Sequence, residues 1–159
     1  HVSNLSGNKT EVQDITQIRK NFYRWSRLLP PERQLLGLLT LQNERAVEYL
    51  LTSFIGAPLV SGDLRQLSSA NRARVTKLSK AFQNAVKKTA LTEFEVVFNN
   101  NSCDAFKRFN IDGHGIICVF NQSDEAFLLP KDNIYVNVEN NEVCTFVAPQ
   151  SCWMLSFET

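Results

Sequence analysis

The 159-residue sequence has no apolar run near the ~18 residues that a membrane-spanning helix requires, so no membrane span is expected. Two histidines and four cysteines without a C-x-x-C pair leave no zinc pattern; neither a metal nor a cofactor is expected. No G-x-S-x-G, P-loop or H-E-x-x-H pattern occurs. A cysteine–histidine nucleophile would have to use the terminal His1, or His114 inside the turn Asp112-Gly113-His114-Gly115. A net charge of +1 lacks the basic excess of a dedicated nucleic-acid binder, so no nucleic-acid partner is expected. Internal repeats and low-complexity tracts are absent. So is a methionine at position 1: a chain opening at His1 reads as a processed piece, any signal peptide already removed.

What is present is sorted unevenly. Residues 1–90 carry 14 Lys and Arg against 6 Asp and Glu, whereas residues 91–159 carry 3 against 10. All four cysteines lie in the second part. The pattern divides the chain into a helical segment, 1–90, and a β domain, 91–159. The opposite charges can attract each other, or each can form a separate solvated face.

In the first part, Ile15, Ile18, Phe22, Trp25 and Leu29 recur at helical spacing and predict a helix over 11–29, with Thr10 and Gln13 as a capping box. Pro30-Pro31 ends it and starts a second helix through the Leu-rich 32–41. Asn43 caps a third, 44–54, with Val47, Leu50, Leu51 and Phe54 inward. Residues 56–60 read as a short buried strand. Ser68 or Ser69 caps a fourth helix, 70–88. After Leu91 the pattern turns to short strands at 93–98, 105–110, 115–121, 125–129, 134–139, 142–147 and 153–157, separated by turn residues. That spacing predicts an antiparallel β-sandwich, and the class is α+β.

Four Asn-x-Ser/Thr sequons, at Asn4, Asn8, Asn100 and Asn121, point to a secreted or lumenal glycoprotein, extracellular or lysosome-like. Cys103, Cys118, Cys144 and Cys152 are then expected to form disulfides, in any of three pairings.

The stretch Gly56-Ala57-Pro58-Leu59-Val60-Ser61-Gly62-Asp63-Leu64-Arg65-Gln66-Leu67-Ser68 resembles the A-P-L-x-x-S-x-D-L-R-x-x-S segment that closes the barrel of the α-galactosidase (melibiase) clan. A helix follows it there too. The later Phe106–Phe109 and Gly115–Asn121, ending in V-F-N, are similar to the start of the clan's C-terminal β domain. The clan's N-Q-D-P-L-G loop is missing; Lys88-Thr89-Ala90-Leu91 runs straight on.

The resemblance implies that residues 1–90 are the last β/α units of a TIM barrel, followed by the sandwich. It implies a retaining hydrolase whose two carboxylates, about 5 Å apart, lie on earlier strands. No catalytic residue is then expected in this chain, and glycosidase activity would need a missing N-terminal chain of the same precursor. Asp63 and Arg65 are substrate-pocket candidates; alternatively, Asp63 caps the turn and pairs with Arg65. The partners implied are that N-terminal chain and carbohydrate. The competing assignment is a non-catalytic secreted module binding carbohydrate or protein, with Phe127, Tyr135 and Trp153 as stacking surfaces or as core.

Overall fold

The computed structural model describes residues 2–3, 12–41 and 44–158, and it divides into two units, His1–Lys77 and Leu78–Thr159.

The first unit alternates strand and helix: β1 (Val2–Ser3), α1 (Val12–Trp25), β2 (Gln34–Thr40), α2 (Ala46–Phe54) and β3 (Ala57–Ser61). The strands form one sheet in the order β1-β2-β3. Both pairings are parallel, Val2 beside Gln34 and Leu35 beside Ala57, so α1 and α2 serve as crossovers. The Leu-rich segment read from sequence as a second helix is the strand β2. Pro31 starts only a single 3-10 turn, Pro31–Arg33. A parallel strand covered on both faces reads as a continuous apolar run, as a buried helix does. Seven residues with Gly37 at the centre suit the strand.

Helix α1 ends at Trp25, earlier than its apolar stripe suggests; the Leu28 and Leu29 amides both donate to the Trp25 carbonyl at 2.9 Å. Ile15, Ile18 and Phe22 are buried, whereas Trp25 is 41% exposed and not core. Every residue of α2 is buried, not one face alone. The proposed caps at Thr10 and Asn43 lie outside the described residues.

Helix α3 (Ser69–Thr89) belongs to both units. It starts where Ser68 Oγ accepts the Asn71 amide at 3.2 Å. It ends at Ala90, whose φ of 44° is the left-handed conformation usual after a helix terminus.

The second unit holds β4 (Glu93–Asn99), β5 (Cys103–Phe109), β6 (Gly115–Asn121), β7 (Phe127–Leu128), β8 (Ile134–Asn137), β9 (Val143–Cys144), β10 (Phe146–Val147) and β11 (Ser151–Glu158). Six strands form an antiparallel sheet, β4-β5-β6-β11-β8-β9, and β7 pairs with β10. Ala105, Ile117, Val119, Leu129, Tyr135, Val147, Leu155 and Phe157 pack as the core between the two sheets. On the opposite face Phe94, Phe106 and Phe120 form an aromatic row, with ring centroids 6.1 and 6.4 Å apart. The β5–β6 hairpin turns at Gly113 (φ 81°), as its D-G pair predicts. Gly115 is required for a different reason: a Cβ there would lie 2.1 Å from the Arg108 carbonyl oxygen.

Candidate functional site

Asp63 follows the carboxyl end of β3, the end of a parallel strand at which α/β folds place their sites. The extended backbone after Gly62 turns its carboxylate back on the chain. Oδ1 accepts the Arg65 amide at 3.0 Å and Arg65 Nε at 2.9 Å, while Oδ2 accepts a terminal guanidinium nitrogen of Arg65 at 2.9 Å. These contacts, the side-chain one foremost, hold the Asp63 carboxyl below its ordinary range. Asp63 therefore caps the turn Leu64–Gln66 and engages both oxygens with Arg65. Arg65 is brought to this site, but as the partner of Asp63.

Two charged networks went unread in the sequence. In the first unit Arg19, 1% exposed, donates to Glu48 Oε1 at 3.1 Å and to Thr52 Oγ1 at 3.2 Å, and Arg45 Nε donates to Glu48 Oε2 at 2.9 Å. They tie α1 to α2. The available signal was Glu48 itself, a carboxylate inside the apolar run Val47–Leu51. In the second unit Lys107 projects from the middle of β5 and is 3% exposed. Its Nζ donates to Asp132 Oδ2 at 2.9 Å and lies 5.1 Å from the Phe157 ring centroid. Tyr135 donates its hydroxyl to Asp132 Oδ1 at 3.1 Å. Burial alone would lower the Lys107 pKa, but hydrogen bonds to Tyr135 and Asp132 and their charges outweigh it and leave it raised. For Asp132, burial acts upward, and Lys107 and Tyr135 overcome it to leave the carboxyl lowered. Asp132 also borders a hollow of about 450 Å³ with Asn133, Ile134, Phe157 and Glu158.

The three aromatic candidates sit in or against the sandwich core: Tyr135 is 1% exposed, and Phe127 and Trp153 pack on the core cluster. None stands out as a stacking platform.

Strand register bears on one of the three disulfide pairings. Cys103 lies level with Asn121, and Cys144 with Tyr135, which continues the row of Phe157, Gly115 and Phe109. Six residues along and four strands across place Cys103 and Cys144 roughly 25 Å apart. Cys118 and Cys152 occupy one face of adjacent strands, but Cys118 faces Met154 and Cys152 faces Phe120. Such diagonal positions are about 7–8 Å apart at Cα, beyond the usual reach of a disulfide. The pairing of Cys103 with Cys144 therefore does not suit this register. Burial pushes the Cys118 thiol up to about 12, with Arg108 opposing and Cys152 adding to the effect.

The described sequons also differ. Asn100 is exposed in the β4–β5 turn. Asn121 is 1% exposed, and its Nδ2 donates to the carbonyls of Glu125, Val147 and Ala148 at 2.8, 3.3 and 3.1 Å. A glycan on that nitrogen would break all three bonds. Asn4 and Asn8 lie outside the described residues. Within the described residues no helix is long and apolar enough to cross a membrane.

No family model matches the sequence, and no curated protein matches it. Solved structures do. The galactosidase domain of an α-galactosidase–sucrose kinase superposes with a TM-score of 0.63 at 11% identity, over 94% of this chain and 25% of its own. An α-galactosidase of glycoside hydrolase family 36 from Geobacillus stearothermophilus gives 0.63 at 11% identity, over 91% and 24%. A family 27 β-L-arabinopyranosidase from the same organism gives 0.60 at 11% identity, over 98% and 45%. The chain thus spans less than half the length of each of these structures. Its alternating parallel β/α unit and antiparallel β unit are the fold of a part of the α-galactosidase-type glycoside hydrolases.

Proposed function

We propose that this chain supplies a wall of a (β/α) barrel and the adjoining β domain of a secreted or lumenal glycoside hydrolase of the α-galactosidase type. The catalytic carboxylates and the other barrel strands belong to an N-terminal chain of the same precursor, and the substrate is a carbohydrate. One observation carries this reading: the parallel sheet is open. Among the described residues its order β1-β2-β3 leaves β3 at an edge, with Pro58 exposed, Leu59 37% exposed and Val60 39% exposed. Parallel strands are ordinarily covered on both faces, and apolar edge strands are ordinarily shielded or blunted. A neighbouring barrel strand is the cover this geometry asks for, and the solved structures of like fold have the extra length to provide one. In this reading Asp63 and Arg65 shape the rim of the pocket and perform no chemistry, since their charges satisfy each other.

The test is the particle mass of native material, followed by chain masses after reduction and deglycosylation. A partner chain of barrel-completing size is expected. The pair should hydrolyse an α-galactoside while the 18.1 kDa chain alone does not. A monomeric, cooperatively folded chain whose β3 amides resist hydrogen exchange would sink the proposal.

The competing binding-module reading loses its aromatic platform to the core, and no observation favours it over the open barrel.

A further inference from the structure

We infer that Asn100 is an N-glycosylation site of the folded protein, and that the fold sets it apart from the chemically equivalent sequon at Asn121. Both positions offer the required Asn-x-Ser, Asn100-Asn101-Ser102 and Asn121-Gln122-Ser123. Their side chains are used in opposite ways. At Asn100 the carbonyl end does the structural work: Oδ1 accepts the amides of Ser102 at 2.8 Å and Cys103 at 2.6 Å, and the Ser102 hydroxyl at 3.3 Å. The β4–β5 turn is therefore held by an atom that glycosylation leaves in place. Asn100 is exposed, and among the described residues no hydrogen bond is drawn from its Nδ2. At Asn121 Oδ1 is used similarly, by the Ser123 amide at 3.1 Å and hydroxyl at 2.7 Å, but the nitrogen is spent as well, on three carbonyls inside the domain. Those carbonyls come from the turn after β6 and from the end of β10, so this amide fastens two loops to the sheet.

The modification needs a lipid diphosphate-linked oligosaccharide as co-substrate. The bond from the sugar C1 to the diphosphate oxygen breaks, a C1–Nδ2 bond forms at Asn100, and the amide proton leaves with the lipid diphosphate. No redox change occurs. Transfer precedes folding, so the fold does not shield Asn121 from the transferase. It instead makes a chain modified at Asn121 unable to close its loops. A glycan on Asn100 would stand at the end of β4, the edge strand of the six-stranded sheet, two residues from Phe98, which is 41% exposed. It would hinder pairing of that edge with another chain.

The experiment is production of the full chain behind a cleavable signal peptide in a eukaryotic secretory host. Each sequon peptide is then read by mass after enzymatic deglycosylation in heavy-oxygen water, in the secreted and the cell-retained pools. The Asn100 peptide should carry the label in both pools. The Asn121 peptide should be unlabelled in the secreted pool. Ser102→Ala should remove the Asn100 glycan, and Ser123→Ala should change no glycan on secreted protein. Asn121→Gln in unglycosylated protein should lower the denaturation midpoint, whereas Asn121→Asp with its amide removed should do so at least as much. An unlabelled Asn100 in both pools, or a labelled Asn121 in the secreted pool, overturns the inference. Because occupancy is read without any activity, it can fail or succeed independently of the hydrolase reading.

Discussion

The two units solve the same problem, a sheet with apolar faces, in different ways. The antiparallel unit folds β7 and β10 over its own sheet and encloses Leu155, Val119 and Ile117 at 0% exposure. The parallel unit buries α2 on all sides, yet leaves Leu59 and Val60 of β3 at a bare edge. Both units leave apolar side chains in solvent: Leu59 and Val60 on β3 in the first, and Leu128, Ile134 and Val143 in the second. The difference teaches that burial of helices does not certify a complete layer. The edge strand has to be inspected separately.

The contrast can be broken most strongly at Glu48. Two arginines share this one carboxylate, and Glu48→Gln removes the charge that both of these contacts use. A loss of about 3–5 kcal/mol is expected, seen as faster hydrogen exchange along α2. In the antiparallel unit, Leu155→Ala removes a fully enclosed side chain and should cost about 3 kcal/mol. Chemical denaturation checks it; a cost below about 1 kcal/mol would mean that this core is looser than the packing indicates.

Asp132→Asn strips the partner from Lys107. Asp132 is itself half exposed, so solvent screening reduces the expected cost to about 1–2 kcal/mol. Lys107→Met in the same background should recover it, since an apolar side chain suits that site. The pair also sets a pH dependence. Asp132 has a lowered folded pKa, so its stabilisation is present above the unfolded value of about 3.9 and fades as pH falls through the folded value. Lys107 has a raised pKa, so its contribution holds below the unfolded value of about 10.4 and is lost as pH rises through the folded one. Melting temperatures between pH 2 and 6 should slope less in Asp132→Asn than in the parent; equal slopes would assign the acid sensitivity elsewhere. The smallest effect is a gain. Ala90 holds a left-handed φ of 44°, and Ala90→Gly should add about 0.5–1 kcal/mol by relieving it, measured as a raised midpoint.

The strands of the antiparallel unit were legible because turn residues punctuate them. Asn110–Gly113 and Asn140-Asn141 stop chains of Val, Ile and Phe, and the observed β4, β5 and β6 match the expected segments within two residues. Ser68 at the start of α3 and the strand β3 were legible for the same local reasons, although β3, read as buried, is largely exposed. Segment 34–40 was not, because a run of leucines lacks a period that separates helix from strand. The Lys107 network was not legible: its partners Asp132 and Tyr135 are distant in sequence, and only register assembles them. The cysteines show the converse. Their even number invited pairing, while the sheet register sets Cys103 and Cys144 far apart. Asp63 was readable both ways, and its pairing with the arginine two residues on was one of those readings.

Helix α3 runs unbroken past the division at Lys77–Leu78 and keeps Val75, Leu78 and Phe82 nearly inaccessible. Any exchange of modules between genes is constrained by that. A crossover within codons 69–89 would cut through a continuous helix with buried side chains along its length. Viable seams lie at the exposed turn Leu64–Gln66 before it or at Ala90 behind it. Natural or engineered chimeras of this architecture should therefore inherit the helix whole.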